Sequence, residues 1–133
     1  MWLLDTNIFI YLIKRKPDRV LQRLRALDIS TVGVSSITVA ELQYGVAKST
    51  RPEQNALGLA ALLAPLDVLA FDDAAAAAYG AVRAELERAG TPIGSMDLLI
   101  AAHALALGRT VVTNNTREFS RVAGLKAEDW SAE

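Results

Sequence analysis

The sequence of 133 residues has no cysteine and a single histidine. Without thiols it has no disulfide framework, no cysteine-based zinc site and no cysteine nucleophile, which fits a reducing compartment. No Walker A or GxGxxG loop is present, and no Ser-His-Asp triad is recognisable. The lone His103 lies within an apolar run, where a packing role is favoured over a catalytic one. These absences argue against nucleotide binding by a glycine-rich loop and against catalysis by a covalent nucleophile.

The chain also lacks a basic excess and a long uninterrupted apolar run. Its net charge is −1, whereas general nucleic-acid binders are usually basic. The nearly uncharged stretch 96–108 contains Asp97 and is too short to span a bilayer, and Asp5 interrupts the amino-terminal apolar run. We therefore expect a cytoplasmic protein without membrane segments. The chain has one local basic cluster, which consists of Lys14, Arg15, Lys16, Arg19, Arg23 and Arg25. This cluster forms either a solvated helix face or a contact with phosphate groups.

What is present is a pattern of apolar runs alternating with helical periodicity. Hydrophobic residues make up 52% of the chain and charged residues 22%, which excludes disorder. The pattern predicts one α/β domain, residues 1–133, with a parallel sheet of four to five strands and helices on both faces. The predicted strands are residues 1–4, 29–35, 67–71 and 110–113, with a last edge strand at 125–130. The first predicted helix ends near Lys14, and the second starts at Asp18. Further helices are predicted at residues 36–47, 55–63, 74–88, 96–107 and 116–119.

The predicted helix starts and breaks depend on a few polar residues. Thr6 or Asn7 should cap the first helix, and Ser95 should cap the helix 96–107. The polar stretch 49–54 contains Pro52 and should be a loop.

Three acids fall at positions where such a fold concentrates chemistry. Asp5 follows the first buried strand, and ligands bind at the carboxyl ends of parallel strands. Glu41 lies on the helical face of Ile37, Ala40 and Tyr44, so apolar surroundings would demand a partner, a proton or a metal. Asp97 opens a helix that is apolar all round, as in a buried central helix. A salt bridge for Glu41 and helix-dipole compensation for Asp97 are the structural alternatives.

If these acids meet at one sheet edge, their oxygen ligands favour Mg²⁺ or Mn²⁺ over zinc. Phosphodiester or phosphoryl chemistry is then the natural reaction class, because magnesium sites usually also bind phosphate oxygens. An aspartyl-phosphate phosphatase would want a second acid two residues after Asp5, but Asn7 stands there.

Four motifs give the chain a family resemblance over nearly its whole length. They are LDTN at 4–7, SITVAELQYG at 36–45, IGSMDLLIAAHA at 93–104 and VTNNTREF at 112–119. With residues 124–125 and 128–130, the chain resembles the PIN-domain ribonucleases and, among them, the VapC toxins. The resemblance implies a five-stranded parallel sheet and a Mg²⁺- or Mn²⁺-dependent endoribonuclease. It matches Asp5, Glu41 and Asp97 to the metal-binding acids.

The resemblance also assigns the polar surroundings of these acids. It places Thr6, Asn7, Ser95 and Thr113 around them as groups that orient the phosphate. Many PIN domains have a fourth acid where this chain has Asn115, with Glu118 three residues later. A second metal is therefore not implied.

The implied partners are a VapB-type antitoxin, an RNA substrate with tRNA as one candidate, and a second copy of the chain. Apolar faces of the first helices and of residues 55–63 could receive an antitoxin helix, and antitoxins of this family typically block the metal site with a basic side chain. Two alternatives stay open: a catalytically silent PIN-like binding module, and a metal-dependent DNA nuclease or phosphoesterase with the same acids.

Overall fold

The computed structural model describes residues 1–132 and shows a five-stranded sheet in the order β3-β2-β1-β4-β5. Every neighbouring pair of strands is parallel, as predicted. The strands are β1 (Trp2–Leu4), β2 (Val32–Ser35), β3 (Asp67–Leu69), β4 (Thr110–Val112) and β5 (Ala127–Glu128). The helices are α1 (Thr6–Lys14), α2 (Asp18–Arg25), α3 (Ser36–Ala47), α4 (Pro52–Leu63), α5 (Asp73–Ala89), α6 (Ser95–Leu107) and α7 (Thr116–Phe119).

Strand β1 is the centre of the sheet, and it is buried on both faces. Leu4 packs into a core built with α1 to α4, while Leu3 packs into a second core built with α5, α6 and α7. Both side chains are fully buried, and each such leucine contributes about 2 kcal/mol of hydrophobic stabilisation. Helices therefore cover both faces of the sheet, as the sequence predicts.

Several element boundaries differ from the prediction. Helix α4 begins at Pro52, so the expected loop ends three residues early. Proline is well suited to a first helical position, because its missing N–H has no partner there and its φ is already helical. Strand β3 ends at Leu69, and Asp72 then caps α5 by accepting from the Ala75 amide. Strands β4 and β5 are also shorter than predicted.

The predicted caps of two helices are wrong. Asp5 itself caps α1, because its Oδ1 accepts from the Thr6 amide at 2.7 Å, and neither Thr6 nor Asn7 does so. The N-cap of α6 is Gly94, with no side-chain cap bond, so Ser95 is the first helical residue. None of the helices within residues 1–132 is long and apolar enough to cross a membrane.

The sheet register fixes where the polar residues meet. Leu4 pairs with Val34 on one side and with Val112 on the other. The next residue of each strand is therefore level at the carboxyl edge: Asp5, Ser35 and Thr113. This edge positions the candidate site.

Candidate active site

Asp5 lies at the centre of the carboxyl edge, and only 3% of its surface is exposed. Its Oδ2 accepts a hydrogen bond from the Thr113 hydroxyl at 2.8 Å, while Oδ1 accepts from the Thr6 amide. Burial raises the pKa of the Asp5 carboxyl, these two hydrogen bonds oppose the rise, and the charge of Glu41 adds to it. A buried acid held only by neutral donors is suited to binding a cation.

Glu41 is joined to this edge through a hydroxyl group. The Thr6 hydroxyl donates to Glu41 Oε1 at 2.8 Å and lies 3.3 Å from the Thr38 hydroxyl. The predicted apolar surroundings of Glu41 are wrong, because Tyr44 on the same face is 66% exposed and the buried residues of α3 are Thr38 and Leu42. Glu41 is instead half-buried at the margin of a groove. Thr38 was not predicted as a site residue, although its position one helical turn before Glu41 could have indicated it.

Asp97 shares a polar cluster with Asn115 and Glu118. The Asn115 amide nitrogen donates to Asp97 Oδ2 at 3.0 Å and also to Glu118 Oε2. Burial raises the pKa of Asp97 to about 6, helped by a hydrogen bond shared with Glu118 and by the charge of Asp5. The same hydrogen bond lowers the pKa of Glu118, as do Asn115 and the charge of Arg121. The amide at the fourth position thus bridges two acids that would otherwise repel each other.

These acids form one cleft without forming a closed metal cage. Among residues 1–132, no three acidic or imidazole side chains are close enough to enclose an ion. Asp5 interacts through its charge with both Asp97 and Glu41. Thr6 also links Asp5 to Glu41, because its backbone N–H donates to Asp5 and its hydroxyl donates to Glu41. Magnesium is commonly held by one or two carboxylates plus waters and phosphate oxygens. The donor set therefore fits such an ion at Asp5 and Asp97.

The remaining predicted polar residues lie around the cleft at different depths. Thr113 is fully buried, and its hydroxyl oxygen also accepts from the backbone N–H of Asn115 at 2.9 Å. Asn7 is exposed and donates to Asn114 Oδ1 at 3.1 Å, while Ser95 is exposed in the first turn of α6. Asn114 was not predicted as a site residue, although its position directly after Thr113 could have indicated it.

A groove of about 910 Å³ opens beside the cleft, between α1, α3 and α4. Its lining includes Thr6 and Glu41 of the cleft, and Arg15 and Lys48 add positive charge to it. Its apolar lining includes Ile10, Ile13, Leu42, Val46, Leu59 and Leu62. Of the basic cluster, Lys14, Arg15 and Lys16 are exposed next to this region, while Arg23 pairs with Glu128 at 3.1 Å and stacks over Trp130.

His103 has a packing position inside the molecule, as expected. It is 1% exposed, and its Nδ1 lies 2.8 Å from the hydroxyl of Ser35, the residue that caps α3. Burial lowers the pKa of His103. This contact ties α6, which carries Asp97, to the start of α3, which carries Glu41.

Comparisons with known proteins agree with this architecture. The PIN domain family model matches residues 2–125. The tRNA(fMet)-specific endonuclease VapC of Shigella flexneri is 48% identical over 130 residues, which covers 98% of each chain. Ribonuclease VapC2 of Rickettsia felis is 45% identical over 131 residues, again covering 98% of each.

Solved structures show the same fold. VapBC2 from Rickettsia felis, bound to a DNA fragment from its promoter, aligns with a TM-score of 0.91 and 44% identity over 97% of this chain and 98% of that one. DNA-bound VapBC from Salmonella typhimurium aligns with a TM-score of 0.91 and 46% identity over 97% of each chain. The chain therefore belongs to the PIN-domain family and, within it, to the VapC ribonucleases.

Proposed function

We propose that this chain is a Mg²⁺- or Mn²⁺-dependent endoribonuclease that acts as the toxin of a type II toxin–antitoxin pair. Nucleases of this family generally depend on a divalent metal ion. The observation that carries the proposal is the pairing of Asp5 with Asp97 in one cleft, where burial raises the pKa of both carboxyls. That environment favours a bound cation, since neutral hydrogen-bond donors do not cancel two neighbouring charges.

In this proposal the acids and their neighbours have distinct tasks. Asp5 and Asp97 hold the ion, and Glu41 supports it directly or through water. Glu118 completes the acidic wall of the cleft, with Asn115 keeping it beside Asp97. The polar residues Thr6, Asn7, Ser95, Thr113 and Asn115 orient the phosphate or water.

The ion, when bound, neutralises charge on the scissile phosphate and lowers the pKa of an attacking water. In-line attack by water on the phosphorus would break its bond to the 3′ oxygen, which takes a proton from solvent, so that the products carry a 5′-phosphate and a 3′-hydroxyl. Thr113 holds the Asp5 carboxylate in place through its hydroxyl, so the ligand oxygen does not have to reorganise during the reaction.

The groove beside the cleft supports a VapB-type antitoxin as partner. Its volume and its apolar lining, contributed by α1, α3 and α4, suit an amphipathic helix. A basic side chain at the inner end of such a helix would reach Glu41 and the neighbouring acids and block the site. Structural relatives of this chain are VapBC complexes. We also propose that the protein forms a homodimer and acts in the cytoplasm, where translation takes place.

RNA is the proposed substrate class, and tRNA is the first candidate because a relative is named as a tRNA(fMet)-specific endonuclease. Cleavage of such RNA would inhibit translation and growth until the antitoxin neutralises the toxin. A silent binding module is the weaker alternative, because it would have no use for Asp5, Glu41 and Asp97 in one cleft, where none of the three forms an ion pair within residues 1–132.

The test is cleavage of total RNA, single-stranded DNA and a small phosphodiester, each with Mg²⁺, Mn²⁺ or chelator. We expect RNA cleavage that requires the ion and that is lost in Asp5→Asn and Asp5→Ala with the fold retained by circular dichroism. The matched control Asp67→Asn changes an exposed acid at the start of β3 and should cleave like wild type. Full activity of the Asp5 variants would overturn the proposal, and preference for DNA would favour the other nuclease.

A further inference from the structure

Helix α1 separates two different surfaces. Ile10 and Ile13 line the apolar groove. Asn7, Tyr11 and Lys14 follow the spacing i, i+4, i+7, which places them on one face of the helix with Ile10 at its border, and none of the three lines the groove. That polar face begins at the catalytic edge and ends at the basic cluster, about 10 Å further along the helix axis.

Asn114 joins this polar face from the end of β4. Asn7 Nδ2 donates to Asn114 Oδ1 at 3.1 Å, and Asn114 Nδ2 donates to the Tyr11 hydroxyl oxygen at 3.0 Å. Because the phenol oxygen accepts this bond, its own proton can be donated outward. Asn7 Oδ1 also keeps its capacity to accept. The network thus presents neutral donors and acceptors in a defined order at an exposed surface.

The position of this network selects its ligand. Asn114 directly follows Thr113, which holds Asp5, so the network borders the cleft in which a phosphate would be cut. A second phosphate would offer only acceptors to this mixed set of donors and acceptors, and the acids beside it would repel another anion. The edge of an unpaired base offers both donors and acceptors, and the Tyr11 ring, which packs against the core, fixes the position of its hydroxyl group. Lys14, one turn beyond Tyr11, is suited to the following phosphate.

We propose that Tyr11 and Asn114 form a subsite for the base of an unpaired ribonucleotide adjoining the cleaved phosphate, with Asn7 holding the Asn114 amide in place. This inference rests on the proposed ribonuclease function and adds a source of sequence preference to it. Neither Tyr11 nor Asn114 lines the groove, so a base in the subsite and a helix in the groove would contact different residues.

The test uses short RNA oligonucleotides that differ only in the base on either side of the cleaved bond. For wild type, kcat/KM should depend on that base. Tyr11→Phe removes the outward donor, and Asn114→Ala removes the amide. Each should therefore reduce the ratio of kcat/KM between the best and the worst base by about tenfold. Lys14→Ala should lower cleavage of all oligonucleotides alike and weaken its salt dependence. Tyr79→Phe, which changes a phenol that accepts from Arg83 on α5, is the matched control with an unchanged ratio.

Dissociation constants of the same oligonucleotides, measured in chelator, separate this inference from the catalytic proposal. A base preference in binding that Tyr11→Phe and Asn114→Ala abolish would support the subsite even if no cleavage occurred. An equal loss for all four bases, or an unchanged preference in both variants, would overturn it.

Discussion

The side-chain amide of Asn115 bonds to two carboxylates at once, and replacing it by aspartate should destabilise the metal-free protein. The amide nitrogen donates to Asp97 at 3.0 Å and also to Glu118. In Asn115→Asp both donors are lost and a third carboxylate is added at the same place. The substitution changes one NH₂ group for one oxygen, so packing volume is nearly unchanged.

The expected magnitude follows from two contributions. A buried hydrogen bond to a charged group contributes about 1.5–3 kcal/mol. Because this cluster is partly exposed, the two hydrogen bonds of the Asn115 amide together contribute about 2 kcal/mol. Repulsion among the carboxylates adds about 1 kcal/mol at solvent-like screening. For a domain of this size, the resulting loss of about 3 kcal/mol corresponds to a decrease in Tm of about 9–12 °C.

The assay is thermal unfolding at pH 7.5 in chelator and in Mg²⁺. Asn115→Asp should unfold at lower temperature than wild type in chelator, and Mg²⁺ should raise its Tm by more than it raises that of wild type. Asn115→Ala loses the donors without adding charge, so its Tm in chelator should lie between the two. An Asn115→Asp protein as stable as wild type in chelator would refute this account of the amide.

Three other predictions test the neighbouring contacts. The pKa of Asp97 is about 6 in the folded protein against an ordinary 3.8, so its carboxyl stabilises the fold below about pH 4 and this contribution is lost as pH rises through 6. In chelator at pH 7.5, Asp97→Asn should therefore exceed wild type in unfolding free energy by about 1 kcal/mol after solvent screening, with no difference at pH 4. Thr6→Val removes the hydroxyl that donates to Glu41, and RNA cleavage should fall about tenfold with Tm unchanged within about 2 °C; wild-type activity would contradict the proposed role of this contact. His103→Leu should lower the unfolding free energy in guanidinium by about 1–3 kcal/mol, and a double-mutant cycle with Ser35→Ala should show coupling, whereas additive effects would exclude it.

The elements that the sequence predicted well are those whose apolar pattern is continuous. Leu3 and Leu4 precede an acid without interruption, and the apolar run after Asp97 has no polar side, so β1 and α6 could be assigned as buried elements. Parallel strands bring their carboxyl ends to one edge, which is why Asp5 and Thr113 could be expected together. The boundaries and caps were less predictable, because Asp5, Thr6 and Asn7 are all competent caps and only the backbone geometry selects one.

The contacts within the site depended on side-chain directions that no spacing specifies. Helical periodicity assigned Glu41 to an apolar face, but α3 presents Thr38 and Leu42 to the core and leaves Glu41 beside the groove. The hydroxyl link through Thr6 joins residues 35 positions apart, and it depends on how α1 and α3 pack. Asn114 and Tyr11 are likewise brought together by tertiary packing alone.

Asp5 and Asp97 are proposed to act together with a divalent ion to cut RNA. The most direct measurement is single-turnover cleavage of total RNA by purified wild type in Mg²⁺, by wild type in chelator, and by Asp97→Asn in Mg²⁺. We predict cleavage in the first reaction, with 5′-phosphate ends, and none in the other two. Cleavage by Asp97→Asn at the wild-type rate, or undiminished cleavage in chelator, would contradict the claim.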